Sequence, residues 1–177
     1  GVSTNSFIYE SENIVAGDAA AAMAEGANLA LYKFTKYKVK ENGNSKYLEE
    51  IRFVEEDKKT VAAVKKGVEK GRIISDSVNV ARDLINHPAN DMTPTIMAES
   101  AKKMAKAAGG IKCTVLSRPQ IEKLGMGAYL GVSQGSQEPP RFIILEYNGG
   151  KKGARPVVVV GKSVTFDSGG ISIKPSE

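Results

Sequence analysis

The chain has 177 residues, 41% hydrophobic and 25% charged, with a formal charge of +5: enough apolar material for the core of one domain, or of one domain and part of another. No apolar run approaches the roughly 18 residues that span a bilayer, and the opening GVSTNSFIYESENIVAG lacks a basic stretch followed by an apolar one; no membrane and no secretory route is expected. Aromatic residues make up 6%, with no tryptophan, and the lysines are dispersed, so a nucleic-acid partner is not expected either.

In chain order, Asp18 to about Phe34 reads as a helix capped by Asp18, with Met23, Ala27, Ala30, Leu31 and Phe34 at helical spacing. KENGNSK, residues 40–46, is a polar turn. Leu48 to Val54 has the β-branched and aromatic content of a strand. Lys58 to Ile85 reads as one long helix, with Val61, Val64, Val68, Ile74, Val78, Ala81 and Ile85 on one face; Gly67 and Gly71 inside it suggest close packing, and its length suits a link between domains. The prolines, asparagines and aspartate of NHPANDMTP, residues 86–94, shape a loop. Thr93 can cap the next helix with Pro94 at its first position, and that helix stops at Gly109-Gly110. A strand at Ile111–Leu116, a short helix at Pro119–Leu124, a strand at Arg141–Tyr147 and a fully apolar strand at Pro156–Val160 follow. Helices mixed with apolar strands indicate an α/β domain with a largely buried sheet.

The single cysteine, Cys113, allows no intrachain disulfide and fits a cytoplasmic setting; in a strand it reads as a core thiol. The single histidine, His87, rules out a two-histidine zinc motif. Any metal site must therefore use carboxylates, backbone oxygens or a less usual donor. His87, Asn86, Asn90 and Thr93 read as loop-shaping residues, and Met126 between Gly125 and Gly127 as packing.

The segment that carries chemistry is VVVVGKSVTFDSGGISIKPSE, residues 157–177. A buried strand running out at Gly161 places Lys162 and Asp167 where open α/β sheets bind ligands. Gly169-Gly170 allows a close backbone approach, and Lys174 follows. Taken alone, each of these residues also reads as a solvated charge or a turn former. The GKS triplet lacks the upstream glycine of a phosphate-binding loop and is followed by Val164 and Thr165, so nucleotide binding is not indicated.

GKSVTFDSGGISIKP resembles the signature of the leucyl (cytosol) aminopeptidase family, with Ser163 where the family usually has a second glycine. DLINHPANDMTP and LGMGAYLGVSQGSQEPPRFIILEY resemble two further blocks of that family, and all three stand in family order between Asp83 and Glu177. The resemblance implies a two-metal enzyme that hydrolyses the N-terminal bond of peptides with a leucine-type preference. It implies a three-layer mixed α/β sheet flanked by helices. Residues 1–57 would be the tail of an N-terminal domain, 58–85 a linking helix and 86–177 the first part of a catalytic domain. By the same resemblance Lys162 ligates one metal through its amine, Asp167 bridges both metals, and Lys174 stays charged and polarises the scissile carbonyl. The metals would be zinc or manganese, with magnesium as a third option; bicarbonate would serve as base, peptides as substrates and a hexamer as the assembly.

The family's remaining carboxylate ligands lie downstream, in a further aspartate and an NTDAEGR segment, and are absent from these 177 residues. The isolated chain is therefore expected to be inactive. Two other classes compete with the enzyme: a non-catalytic structural or oligomerisation module derived from the same family, and a Ser-Lys hydrolase using Ser168 with Lys174.

Overall fold

The structure is a computed structural model that describes residues 2–7, 14–39 and 48–164, the first of these stretches as backbone only. The chain divides into two compact units, Gly1–Asn86 and His87–Glu177.

In the first unit, β1 (Val2–Phe7) and β2 (Leu48–Val54) pair in parallel, with a register irregularity between Val2 and Ser3. A parallel pair needs a crossover, and α1 (Ala16–Ala30) lies between the two strands in sequence. The sequence reading contains no β1. Ser3, Thr4, Asn5 and Ser6 offer no apolar alternation, and the strand is specified by its partner.

Helix α1 starts two residues before the expected cap. Val15 is the extended residue at its N-terminus, and its carbonyl accepts the Asp18 N–H at 3.0 Å. Asp18 thus sits in the first turn, where a carboxylate faces the positive end of the helix, 3.8 Å from Lys70. The helix ends at Ala30 rather than Phe34, closed by the Leu31 N–H on the Ala27 carbonyl at 3.1 Å.

Helix α2 (Val61–Asn86) has 26 residues. It starts after Lys58 because residues 58–60 form a turn: the Asp57 carboxylate accepts the Lys59 N–H at 2.9 Å and the Asp57 carbonyl accepts the Thr60 N–H at 3.1 Å.

The two helices meet backbone to backbone. A Cβ added at Gly67 would run into the Gly17 carbonyl, and one at Gly71 into the Ala21 carbonyl. The buried faces are accordingly small: Ala16, Ala20, Ala21 and Ala24 on α1, and Val64, Gly67, Gly71 and Ser75 on α2. This bears out the close packing expected at Gly67 and Gly71 and keeps Val64 and Val68 on the inner face, but corrects the rest of the apolar stripes expected from spacing. Leu31, Ile74, Val78 and Ile85 are exposed, because the close crossing leaves room for glycine and alanine but not for large side chains. Ala16, Ala20 and Val64 form the core, with Phe53 of β2 and Val68 against it. Ser75 is fully buried and satisfied: its Oγ donates to the Gly71 carbonyl and accepts from Asn28 Nδ2, both at 2.8 Å.

In the second unit, α3 (Pro94–Ala108) begins as read. The Thr93 hydroxyl accepts the Ile96 N–H at 3.3 Å, and Pro94 occupies the first turn. It stops at Gly109 and Gly110, both at φ 67°, a conformation suited to glycine. Ala98, Ala101 and Ala105 are buried on the face that lies against β3 (Ile111–Leu116) and β4 (Phe142–Tyr147). These strands are antiparallel, in register from Ile111 opposite Tyr147 to Leu116 opposite Phe142.

Between the two strands, α4 (Arg118–Lys123) opens with the Ser117 N–H donating to Gln120 Oε1 at 2.8 Å, and Ile121 is fully buried. Helix α5 (Gly127–Ser133) has no counterpart in the sequence reading, since Gly127 and Gly131 weaken its propensity. It is tied down by the Tyr129 hydroxyl, which donates to the Arg141 carbonyl at 2.6 Å, and by the Tyr129 ring edge-on to Phe142. Burial pushes the Tyr129 phenol above its ordinary value, favouring the neutral donor. Cys113, read as a core thiol, is half-buried.

The Pro156–Val160 strand is not formed. Val157, Val158, Val159 and Val160 are irregular and 76–91% exposed. Among the described residues no strand lies beside them, and without a ladder partner the backbone has no reason to become a strand.

Gly71→Ala should destabilise the chain by about 1–3 kcal/mol, the cost of overpacking, read as a lower midpoint in denaturant. Gly26→Ala, where an added Cβ meets nothing within 4 Å, should stabilise by about 0.5–1 kcal/mol. Equal effects at the two positions would deny the close crossing. Thr93→Ala should cost about 1 kcal/mol through the lost cap, measured in the same way.

Candidate functional site

The segment holding the three expected site residues follows β4. The chain turns through residues 148–155, with the Ala154 N–H on the Lys151 carbonyl at 3.1 Å and Gly153 at φ 82°. It then runs through the exposed valines to Gly161, Lys162, Ser163 and Val164. Lys162 is exposed. Its neighbour Gly161 faces open space, so no described residue requires a glycine there. Asp167 and Lys174, and with them Ser168 and the Gly169-Gly170 pair, lie outside the described residues. The structure therefore places one of the three expected residues. The strand end from which Lys162 was expected to project is replaced by exposed, irregular chain.

No group of three or more His, Cys, Asp or Glu side chains that could hold a metal exists among the described residues. The donors that remain are an amine at Lys162 and a carboxylate at Asp167. Both types bind divalent cations, the amine once it has lost its proton, so they suit part of a metal shell but not two complete shells. An open groove along α2, lined by Lys65, Lys66, Glu69, Lys70, Ile73 and Ile74, contains none of the expected site residues. Its charges are solvated: Glu69 is held below the usual carboxylate range by its hydrogen bond to the Arg72 guanidinium, 2.8 Å away, with both side chains exposed.

The loop residues read as structural divide into two kinds. Thr93 caps α3. Asn86, at the end of α2, instead reaches back 54 positions to donate to the Tyr32 hydroxyl at 3.0 Å. Sequence reading missed Tyr32 altogether; its position two residues past the end of α1 carried no signal of a partner on α2.

No described helix is long and apolar enough to cross a membrane. The fold is mixed α/β, and its structural neighbours are aminopeptidase-type domains. A bottromycin maturation enzyme, BotP, solved in complex with Mn, superposes with a TM-score of 0.75 at 33% identity, over 95% of this chain and 33% of that one. A mutant of tomato leucine aminopeptidase matches with a TM-score of 0.69 at 27% identity, over 81% of this chain and 29% of its own.

In sequence, a probable cytosol aminopeptidase of Rhodopseudomonas palustris is 46% identical over 158 residues, which is 89% of this chain and 31% of that protein. One of Brucella anthropi is 44% identical over 169 residues, 93% of this chain and 33% of its own. The catalytic domain of the cytosol aminopeptidase family matches residues 79–177. The chain belongs to the cytosol aminopeptidase family, and it spans about a third of the length of the curated relatives it matches.

Proposed function

We propose that these residues supply the front part of a two-metal aminopeptidase centre that hydrolyses the N-terminal bond of peptides, with Lys162 and Asp167 as metal ligands and Lys174 as the catalytic cation. The observation that carries the reading is the match of the family's catalytic domain across residues 79–177, a span that includes all three. The complex of BotP with Mn, at 33% identity, supports a divalent metal such as manganese; zinc and magnesium are the alternatives, and bicarbonate the proposed base. The relatives' designation as cytosol aminopeptidases supports a cytoplasmic enzyme acting on peptides, and the family resemblance supports a homo-oligomeric, hexameric assembly.

The chemistry divides two lysines by protonation state. A lysine amine has a reference pKa of about 10.4, so Lys162 must give up its proton to offer a lone pair to a cation. The Asp167 carboxylate has two oxygens and can serve two cations at once. Bound divalent cations supply an activated water and a hold on the substrate's free amine, which accounts for cleavage at the terminal bond alone. Lys174 does the reverse of Lys162: it keeps its proton and stabilises the charge that develops on the scissile carbonyl oxygen. Ser163, in place of the usual glycine, removes no donor. One amine and one carboxylate do not fill two shells, so these 177 residues alone are proposed to be inactive.

With Mn²⁺ or Zn²⁺ added, the 177-residue chain should hydrolyse leucine p-nitroanilide no faster than the metal alone; efficient turnover would overturn the proposed incompleteness. In a version with complete metal shells, Asp167→Asn should lose bound metal. Lys174→Met should keep its metal and lose about 10²–10³-fold in kcat, the scale of removing an oxyanion-stabilising donor. Metal binding indifferent to both Lys162→Met and Asp167→Asn would sink the assignment. Stable oligomers without metal dependence would point to a structural module, and labelling of Ser168 by a serine-directed phosphonate to the Ser-Lys hydrolase.

A further inference from the structure

The close crossing of α1 and α2 is centred on Gly67 and Gly71 and ends at Ser75, yet α2 continues three more turns to Asn86. Of the large apolar side chains in that extension only Leu84 is half-buried, while Val78, Val80 and Ile85 are exposed, Ile85 by 82%. Polar groups take over. Asn28 Nδ2 donates to Asp76 Oδ1 at 2.8 Å. The Arg82 guanidinium lies 3.9 Å from the centre of the Tyr32 ring and donates to the Leu29 carbonyl at 3.0 Å. The Tyr32 hydroxyl donates to Asp83 Oδ1 at 2.7 Å and accepts from Asn86 Nδ2 at 3.0 Å. Tyr32 thus touches three residues of the last turn and a half of α2 at once, two through its hydroxyl and one through its ring.

The placement matters because of where this turn lies. Asn86 is the last residue of the first unit. Arg82, Asp83 and Asn86 belong to the span matched by the family's catalytic domain, whereas Tyr32 lies some 50 positions ahead of it. The end of a helix secured only by its own hydrogen bonds frays at little cost, and here the end is also the exit to the second unit.

We propose that Tyr32 is a latch that pins the terminal turn of α2, Arg82–Asn86, onto the end of α1, and that this turn opens as a local unit without loosening the glycine crossing. Partial burial, and then the hydrogen bond to Asp83, raise the Tyr32 phenol above its ordinary value, in the direction that favours the neutral donor. The latch rests on contacts within the first unit and is independent of the peptidase reading.

Native-state amide exchange on the 177-residue chain tests it. Tyr32→Phe removes both hydroxyl bonds and keeps the ring beneath Arg82, so the variant should fold. Amides of Arg82–Asn86 should exchange about 5–100-fold faster, the scale of two lost hydrogen bonds, while those of Val68–Ser75 keep their rates. Asn86→Ala, which removes one of the two bonds, should accelerate the same terminal amides by a smaller factor. Unchanged exchange at residues 82–86 in Tyr32→Phe would overturn the latch. Equal acceleration at residues 82–86 and 68–75 would also overturn it, since Tyr32 would then support the whole unit rather than its end.

Discussion

Two helix backbones in van der Waals contact set the terms for the first unit. Where Gly67 faces the Gly17 carbonyl and Gly71 faces that of Ala21, there is no volume for a methyl group. That exclusion explains why the buried residues of α1 are alanines, and why larger apolar groups, Val64, Val68 and Phe53, gather towards the β2 end of the crossing. Dispersion between closely spaced backbones takes the part that interdigitated side chains play in most helix pairs. The arrangement is intolerant, because a glycine contact cannot be relieved by changing a rotamer.

Apolar contact thins as the helices run on. Ser75 is the last fully buried residue on α2, its hydroxyl shared between Gly71 and Asn28. Beyond it, Asp76, Arg82, Asp83 and Asn86 meet Asn28, Leu29 and Tyr32 through directional bonds. Directional bonds between exposed groups add little net stability, but they fix geometry, and this is the stretch in which the family's catalytic match begins.

The candidate site was more legible in sequence than in structure. The order of three blocks, ending in GKSVTFDSGGISIKP, named the family, and the comparisons bear that out. The structure places Lys162 on exposed chain and describes neither Asp167 nor Lys174. The valine run before Lys162 was misread as a formed strand because an apolar composition states a preference for burial and says nothing about whether a ladder partner is at hand. The apolar stripe expected on α2 holds only in its first half: Val64 and Val68 face the core, while Ile74, Val78 and Ile85 are exposed, because beyond the close approach at Gly67 and Gly71 no apolar surface of α1 covers them.

By itself the sequence determined what depends on near neighbours. The Thr93-Pro94 start of α3, its stop at Gly109-Gly110 and the strands at 111–116 and 142–147 follow from capping, glycine conformation and β-branched content, which act over a few residues. Only the tertiary structure decided that Val2–Phe7 is a strand, that Gly67 and Gly71 meet Gly17 and Ala21 of α1 while Ile74 and Val78 stay exposed, and that Tyr32 meets Asp83 and Asn86. Those outcomes join residues roughly 45 to 55 positions apart. At such separations local propensity is only a weak prior that packing overrides, and the pairing is settled by which surfaces can approach most closely.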